Sequence, residues 1–280
     1  MQIRSFRSIF YPAAQGWSEH SAPRLSAALS FYAILSLAPL LVVAVTVATQ
    51  LLDVGTVRAT LYDEALTSLG RGAADLFVSL ADRAAKPATS ISATMIAVLI
   101  AVYAASGLFN QIVSSMETIW GIRHEGPVVR LFLRSRLKSV MFLMAFLILF
   151  VSWLSLDAIL GWLARTSGSF IGWPVISLLA SILLATLVFA LVFRTIPRNR
   201  VQWKDVWPGA ITAGLGFSLA KAALSLYFSY SGIAAAYGSA GALVLILLWI
   251  YYSSQVFFYG VEITRVIVLK REAEEPVIPT

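Results

Sequence analysis

The chain has 280 residues, of which 59% are hydrophobic and only 12% are charged. Soluble domains carry about 25% charged residues, so a water-soluble fold could not cover this much apolar surface, whereas a bilayer can. The absence of cysteine excludes disulfides, thiolate metal sites and thiol nucleophiles.

Six stretches are apolar for long enough to cross about 30 Å of hydrocarbon, which takes about 20 helical residues. In chain order they cover about residues 25–52, 88–116, 138–161, 173–194, 208–230 and 239–266. The first is too long for the apolar part of a cleavable signal peptide. The sequence therefore predicts an all-α, polytopic membrane helix bundle with six transmembrane helices, which form a single integral membrane domain over residues 1–280.

Two further segments are predicted to be interfacial amphipathic helices. Residues 2–18 repeat apolar side chains at nearly helical spacing, with Arg4 and Arg7 between them, which predicts a helix lying on the inner leaflet. Residues 55–86 carry a similar stripe, interrupted at Gly70-Arg71-Gly72. We expect two short helices there that partly cover the outer mouth of the bundle, with an ordinary structured loop as the alternative.

The distribution of Lys and Arg predicts the orientation. Fifteen of them lie in the first tail, in the loops after spans two and four, and after span six; five lie on the opposite side, and Lys221 lies within a span. Because cytoplasmic loops are enriched in Lys and Arg, both termini are predicted to be cytoplasmic. The formal net charge of +7 therefore reflects topology and contact with lipid headgroups, and no nucleic-acid partner is expected.

Small residues recur every four positions in two of the predicted spans. Such faces let transmembrane helices approach closely, so we expect spans two and five to form the tightly packed centre. The small residues are Ala93, Ala97, Ala101 and Ala105 in span two, and Ala210, Gly214, Ser218 and Ala222 in span five.

Lys221 is a charged residue within an apolar span, where charges are costly. It lies thirteen residues beyond Pro208, about 20 Å along the helix and past the midplane toward the outside. Asp157 lies about 28 Å into span three, so a Lys221–Asp157 pair is geometrically allowed. A structural ion pair or a snorkelled lysine is one interpretation; a polar cavity where Lys221 meets an anionic group is the other.

Other polar side chains could line a path through the bundle. Glu262 lies near the inner end of span six, where a structural latch with Arg194 or Arg265 is the simplest interpretation. Five uncharged residues could hydrogen-bond between helices or line the path: Asn110 and Gln111 in span two, and Ser30, Tyr32 and Ser36 in span one.

Catalytic and metal-binding motifs are missing from the sequence. There is no nucleophile elbow, no phosphate-binding Gly-rich loop and no Walker motif. Neither His20 nor His124 has a carboxylate cluster of metal-ligand spacing nearby in sequence. We therefore expect neither an enzyme nor a cofactor nor a bound metal.

Several motifs together resemble the YihY/BrkB family of bacterial inner-membrane proteins. Residues 29–41 (LSFYAILSLAPLL) are similar to the first-span motif of that family. The motifs of its second half follow in order: residues 193–197 (FRTIP), 207–210 (WPGA), Lys221, 237–239 (YGS), 248–251 (LWIY) and 260–262 (GVE). The resemblance covers about residues 15–270. It departs in the second span, where the family often has an Asn near the helix end and Asn110 is the nearest match.

The resemblance implies six spans in a bacterial inner membrane, with Arg194, Lys221 and Glu262 as the family-like polar positions. The family was formerly labelled ribonuclease BN, but this sequence has no residues suited to RNA hydrolysis. The family is also linked to virulence and to the movement of lipids or lipopolysaccharide.

Three hypotheses about function follow. The leading one is a lipid-handling transporter, or a partner in lipid or lipopolysaccharide export, with Lys221 meeting an anionic headgroup near the outer leaflet. Its expected partners are membrane lipids and envelope lipid-transport proteins. The alternatives are a secondary transporter of small ions or solutes, which needs an enclosed polar path, and a non-transporting membrane scaffold, which needs a fully packed bundle.

Overall fold

The computed structural model describes residues 2–84, 91–122, 148, 151–152, 155, 159, 172–195, 201–230 and 240–274. Within these ranges the regular structure is helical throughout, which confirms the prediction of an all-α protein. The helices are α1 (Gln2–Glu19), α2 (Ala22–Leu51), α3 (Val54–Leu69), α4 (Arg71–Ala84), α5 (Ile91–Trp120), α6 (Trp173–Thr195), α7 (Trp203–Tyr230) and α8 (Gly241–Glu274).

Four of the described helices contain segments long and apolar enough to cross a membrane. These segments are Ala22–Leu51, Val175–Thr195, Trp203–Phe228 and Gly241–Glu274. They correspond to the predicted spans one, four, five and six, and α5 overlaps the predicted span 88–116. The predicted span 138–161 lies mostly outside the described residues. The protein is thus a helical membrane protein, whereas the number of six spans stays a prediction.

Helix α8 is the centre of the described bundle. It packs most extensively on α7, then on α2 and α1, and also contacts α3, α4, α5 and α6. The main neighbour of α5 is α2, with Ala105 of α5 packed beside Leu40 and Ala44. Span five is therefore in the tightly packed centre, as predicted, but span two packs mainly on α2 and not on span five, so the prediction is wrong for span two. A stripe of small residues shows that a helix can approach another closely, but it does not specify which one.

The small face of α7 brings it into close contact with α8 and α6. A Cβ atom at Gly209 would overlap the main-chain oxygen of Gly260 and the hydroxyl of Thr264, both on α8. A Cβ at Gly214 would overlap the hydroxyl of Thr186 on α6. Because lipid tails are as apolar as the side chains, fit of this kind drives helix association in a membrane.

The main apolar cluster surrounds this contact. It joins side chains of α2, α5, α6, α7 and α8, and its largest fully buried members are Phe193, Phe258, Met116, Ile119 and Val206. The ring centroids of Phe193 and Phe257 lie 5.3 Å apart. The end of the bundle where α7 begins and α8 ends is thus densely packed.

Helices α3 and α4 occupy the segment predicted to cover the outer mouth. Asp53 caps α3 by accepting a hydrogen bond from the main-chain nitrogen of Thr56 at 3.2 Å. Gly70 separates α3 from α4 with a φ of 85°, a conformation that favours glycine. The first half of α3 is held by apolar packing of Val57 and Leu61 against α2 and α4.

Replacing Gly209 with alanine tests the α7–α8 contact. The added methyl group meets main-chain atoms that cannot rotate away, so we expect destabilisation of about 1–3 kcal/mol, as for other overpacked sites. The measurement is the thermal unfolding midpoint of the purified protein in detergent. Gly72→Ala is the matched control, because a Cβ there lies 3.7 Å from Ala242, an ordinary contact. Equal midpoints for the two variants would contradict the proposed role of Gly209.

Candidate functional site

Exposed aromatic side chains mark both ends of α7. Trp203 and Trp207 are exposed near its beginning, and Tyr227 and Tyr230 near its end. Trp and Tyr are enriched at the two membrane–water interfaces. Trp207 and Tyr227 are twenty residues apart, about 30 Å along a helix and close to the thickness of the hydrocarbon core. Lys221 comes six residues before Tyr227, which places its Cα about 9 Å along the helix inside that aromatic level.

Lys221 is paired with a carboxylate of α3. Its Nζ donates a hydrogen bond to Glu64 Oε1, and the two groups form an ion pair. The side chains are 31% and 39% exposed, respectively. One turn further along α7, the hydroxyl of Ser225 donates to the main-chain oxygen of Thr67. We call these four residues, Glu64, Thr67, Lys221 and Ser225, the α3–α7 seam.

The predicted partner of Lys221, Asp157, lies outside the described residues, and the pairing with Glu64 was missed. A signal for it existed in the sequence. Glu64 lies beside Leu61 and Ala65, which belong to the apolar stripe of α3 and are buried, so its side chain emerges at the edge of the packed face. A single sequence does not determine how α3 is rotated about its axis relative to α7.

A second charged cluster lies at the opposite end of the α7–α8 pair. Glu262 is completely buried, and its Oε1 lies 2.6 Å from Nδ1 of His20, in the turn that joins α1 to α2. Nη1 of Arg265, one turn further along α8, lies 3.7 Å from Oε2. The structure thus places Arg265, one of the two predicted latch residues, beside Glu262. It adds His20, which the sequence did not connect with any carboxylate.

The His20–Glu262 pair lies where α1 crosses α8. A Cβ at Gly16 would lie 2.6 Å from Glu262 Oε2, so a larger residue there would displace this carboxylate or separate α1 from α8. Further hydrogen bonds connect α1 and α8 along the crossing: Trp17 Nε1 donates to Gln255 O at 3.3 Å, Tyr259 Oη to Phe10 O at 3.2 Å, and Lys270 Nζ to Ser8 O at 2.6 Å. The apolar face of α1, predicted to lie on the membrane, therefore packs in part on α8, with Ala13 buried against Ile263.

Another ion pair fixes the same end of the bundle. Nη1 of Arg271, on α8, donates to Oδ2 of Asp205 on α7. The same oxygen accepts a hydrogen bond from the main-chain nitrogen of Gln202 at 2.9 Å. This pair joins the beginning of α7 to the end of α8. Because Asp205 is buried, we interpret the pair as structural.

The remaining predicted path residues do not gather around Lys221. The hydroxyl of Ser36 donates to Ala33 O of its own helix at 3.0 Å, and Tyr32 packs its ring beside Gly107 of α5. Asn110 is exposed on α5. Arg194 lies in the last turn of α6, where the negative end of the helix dipole stabilises a cation.

Lys221 and Glu262 are also far apart along the bundle. Gly209 contacts α8 at Gly260 and Thr264, which flank Glu262. Lys221 comes twelve residues after Gly209, about 18 Å along α7. The two charges therefore belong to separate sites.

Comparison with known proteins identifies the family. The family model described as "Virulence factor BrkB" matches residues 13–279. The chain belongs to the BrkB family. This confirms the resemblance found in its motifs.

Relatives of this BrkB-family chain are named mostly as membrane proteins. It is 28% identical to a UPF0761 membrane protein of Azoarcus sp. (strain BH72), over 100% of this chain and 68% of the relative. It is 25% identical to one of Ralstonia nicotianae, over 96% of this chain and 61% of the relative. A ribonuclease-like protein of Bacillus subtilis, YfkH, is 25% identical over 61% of this chain and 64% of the relative. The chain thus spans about two thirds of the length of these relatives. No solved structure matches it.

Three of the BrkB-like motifs meet at one point of the structure. A Cβ at Gly260 of GVE would lie 2.8 Å from Ala213, 2.9 Å from the main-chain oxygen of Gly209 in WPGA, and 3.0 Å from the ring of Phe193 in FRTIP. These motif residues build the close packing of α6, α7 and α8. Lys221 lies away from this contact. The close packing of α6, α7 and α8 therefore does not explain why a lysine occupies position 221.

Removing the His20 imidazole tests the α1–α8 contact. Because His20→Ala removes a hydrogen-bond partner of a buried carboxylate, we expect a loss of about 1–3 kcal/mol. Faster hydrogen exchange in residues 2–19 should accompany it, since α1 loses a main attachment. Gln15→Ala is the control, because Gln15 makes only a 3.4 Å bond on the exposed side of α1. Unchanged exchange in α1 would show that His20 does not hold the helix.

Proposed function

We propose that the chain is a lipid-handling protein of the bacterial inner membrane, with both termini cytoplasmic. In this proposal it acts either as a transporter or as the membrane partner of a lipid or lipopolysaccharide export system. Lys221 meets the phosphate of a lipid headgroup. The observation that carries the proposal is the position of Lys221. Its ammonium group is partly exposed on a membrane-spanning helix, inside the level of Tyr227. Its partner, Glu64, belongs to a different and amphipathic helix.

The chemistry of this position suits a phosphate. An ammonium group binds phosphate as a compact point charge, and the flexible stem of lysine lets the charge move toward or away from the interface. A headgroup that enters the bilayer needs such a charge, because polar groups in hydrocarbon are costly when they have no partner. Glu64 is about as exposed as Lys221, so neither charged group is enclosed within the bundle.

Two observations favour lipid over a small ion or solute. Lys221 lies about 18 Å along the helix axis from the level of Glu262. Two charged groups this far apart do not line one enclosed site for a small ion or solute. The hydroxyls of Ser30 and Ser36 on α2 are engaged within their own helix: Ser30 donates to Ser26 O at 2.7 Å and Ser36 to Ala33 O. A partly exposed pair at the edge of the bundle is better suited to a headgroup whose tails stay in the bilayer.

The proposal assigns no enzymatic activity. One relative is named as ribonuclease-like, but Lys221 lies on a membrane-spanning helix and is paired with Glu64 of α3. A scaffold without transport activity is the alternative that the experiment must separate from lipid movement.

The test is translocation of an acyl-labelled fluorescent phospholipid in proteoliposomes. We expect faster translocation than in protein-free liposomes, and a rate about tenfold lower for Lys221→Ala, because one charge-assisted hydrogen bond is worth about 1.5 kcal/mol or more. Lys204→Ala is the control: it removes an exposed lysine at the other end of α7. Wild-type protein that moves lipid no faster than empty liposomes would reject transport by this chain alone. A Lys221→Ala rate equal to wild type would remove Lys221 from the mechanism.

A further inference from the structure

Arg194, in the last turn of α6, has a buried hydrogen-bond donor that no described residue satisfies. Its Nε is buried and forms no hydrogen bond with any described group. A guanidinium keeps its charge in proteins and offers five N–H donors, so it cannot adapt by losing a proton. Because buried polar groups normally have a partner and are costly without one, we expect Arg194 to meet an acceptor from another source.

Two buried carboxylates at this end of the bundle are engaged with other cations. Asp205 is paired with Arg271, and Glu262 is paired with His20. The negative end of the α6 dipole stabilises a cation, but it leaves Nε of Arg194 without a hydrogen bond. A ligand that completes this guanidinium must therefore be an anion with several acceptor oxygens.

Arg194 lies at a membrane–water interface. A Cβ at Gly260 would meet both the ring of Phe193 on α6 and the main-chain oxygen of Gly209 on α7, so these two residues lie at one level. Arg194 follows Phe193 directly, and Trp207 precedes Gly209 by two residues, about 3 Å along a helix. Trp207 is exposed and marks the interface at this end. The guanidinium is therefore within reach of lipid phosphates and of soluble anions.

We propose that the Arg194 guanidinium binds a phosphate group at this interface, in an anion site separate from Lys221. The planar fork of a guanidinium donates two parallel hydrogen bonds to phosphate oxygens, which a lysine ammonium does not. Lys221 follows Trp207 by fourteen residues, about 21 Å along α7, so one phosphate cannot contact both cations. The inference thus goes beyond the proposed role of Lys221 and stands without it. The phosphate belongs either to a lipid headgroup or to a soluble phosphate compound.

The experiment measures dissociation constants of the full-length protein in a phosphate-free maltoside detergent. The lipid probe is dioleoyl phosphatidylglycerol, followed by native mass spectrometry, with dioleoylglycerol as the reference that has the same tails and no phosphate. The soluble probe is inorganic phosphate, titrated by calorimetry. Every protein also carries Lys221→Gln, so a lipid at the α3–α7 seam does not contribute, and the result is independent of the proposed lipid movement.

Arg194→Gln should weaken binding of at least one phosphate probe about tenfold, because a charge-assisted hydrogen bond is lost. Binding of dioleoylglycerol should not change. Arg194→Lys keeps the charge at the helix end but not the fork, so its affinity should lie between the two. Lys204→Gln is the matched control, because it removes one positive charge from an exposed lysine at the same end of the bundle. It should leave binding unchanged.

Thermal midpoints verify that each variant is folded. Weaker binding of phosphatidylglycerol supports a headgroup site, and weaker binding of inorganic phosphate alone supports a site for soluble phosphate compounds. The inference is overturned if folded Arg194→Gln, or Arg194→Lys where the first variant does not fold, binds both probes as tightly as the protein that retains Arg194. An equal loss in Lys204→Gln also overturns it, because the effect would then come from net charge alone.

Discussion

The contact between the main chains of α7 and α8 at Gly209 and Gly260 is the constraint on which the described bundle depends. It brings the two helices closer than any side chain would allow. The ring of Phe193 packs against the same point, and Gly214 lets α6 approach α7 on the neighbouring face. In a bilayer, where burial of apolar surface from lipid contributes little, this fit decides which helices are neighbours. It also fixes the level of every charge along α7 and α8.

The two charged clusters at either end of this helix pair have different physical roles. Glu262 is enclosed by α1 and the main apolar cluster, and a buried carboxylate cannot lose its partners without a large penalty. The His20–Glu262 pair therefore fastens α1 to α8. The Lys221–Glu64 pair is partly exposed and joins α3 to α7 at the surface of the bundle. We propose that this pair is the one that exchanges with a lipid headgroup.

The sequence predicts where the helices lie in the chain better than it predicts which helices pack together. Apolar length locates the spanning helices, and Gly70 locates the break between α3 and α4. Lys221 and Glu262 are identifiable because they interrupt apolar runs. Their partners are not, because Glu64 is 157 residues away from Lys221 and His20 is 242 residues away from Glu262. Such pairings depend on how each helix is rotated about its axis, which a single sequence does not determine. The same reason explains why the partner of Ala105 on α5, which lies on α2, was not predicted.

The most direct test of the account locks α3 to α7. The chain contains no cysteine, so Thr67→Cys with Ser225→Cys can be joined by a short, reducible, bifunctional thiol reagent. Gly72→Cys with Ala242→Cys, at the ordinary contact between α4 and α8, serves as the control pair. We expect the joined α3–α7 protein to move lipid no faster than empty liposomes and to recover after reduction, while the control pair stays active. A joined α3–α7 protein that moves lipid at the wild-type rate would contradict a role of the α3–α7 seam in lipid movement.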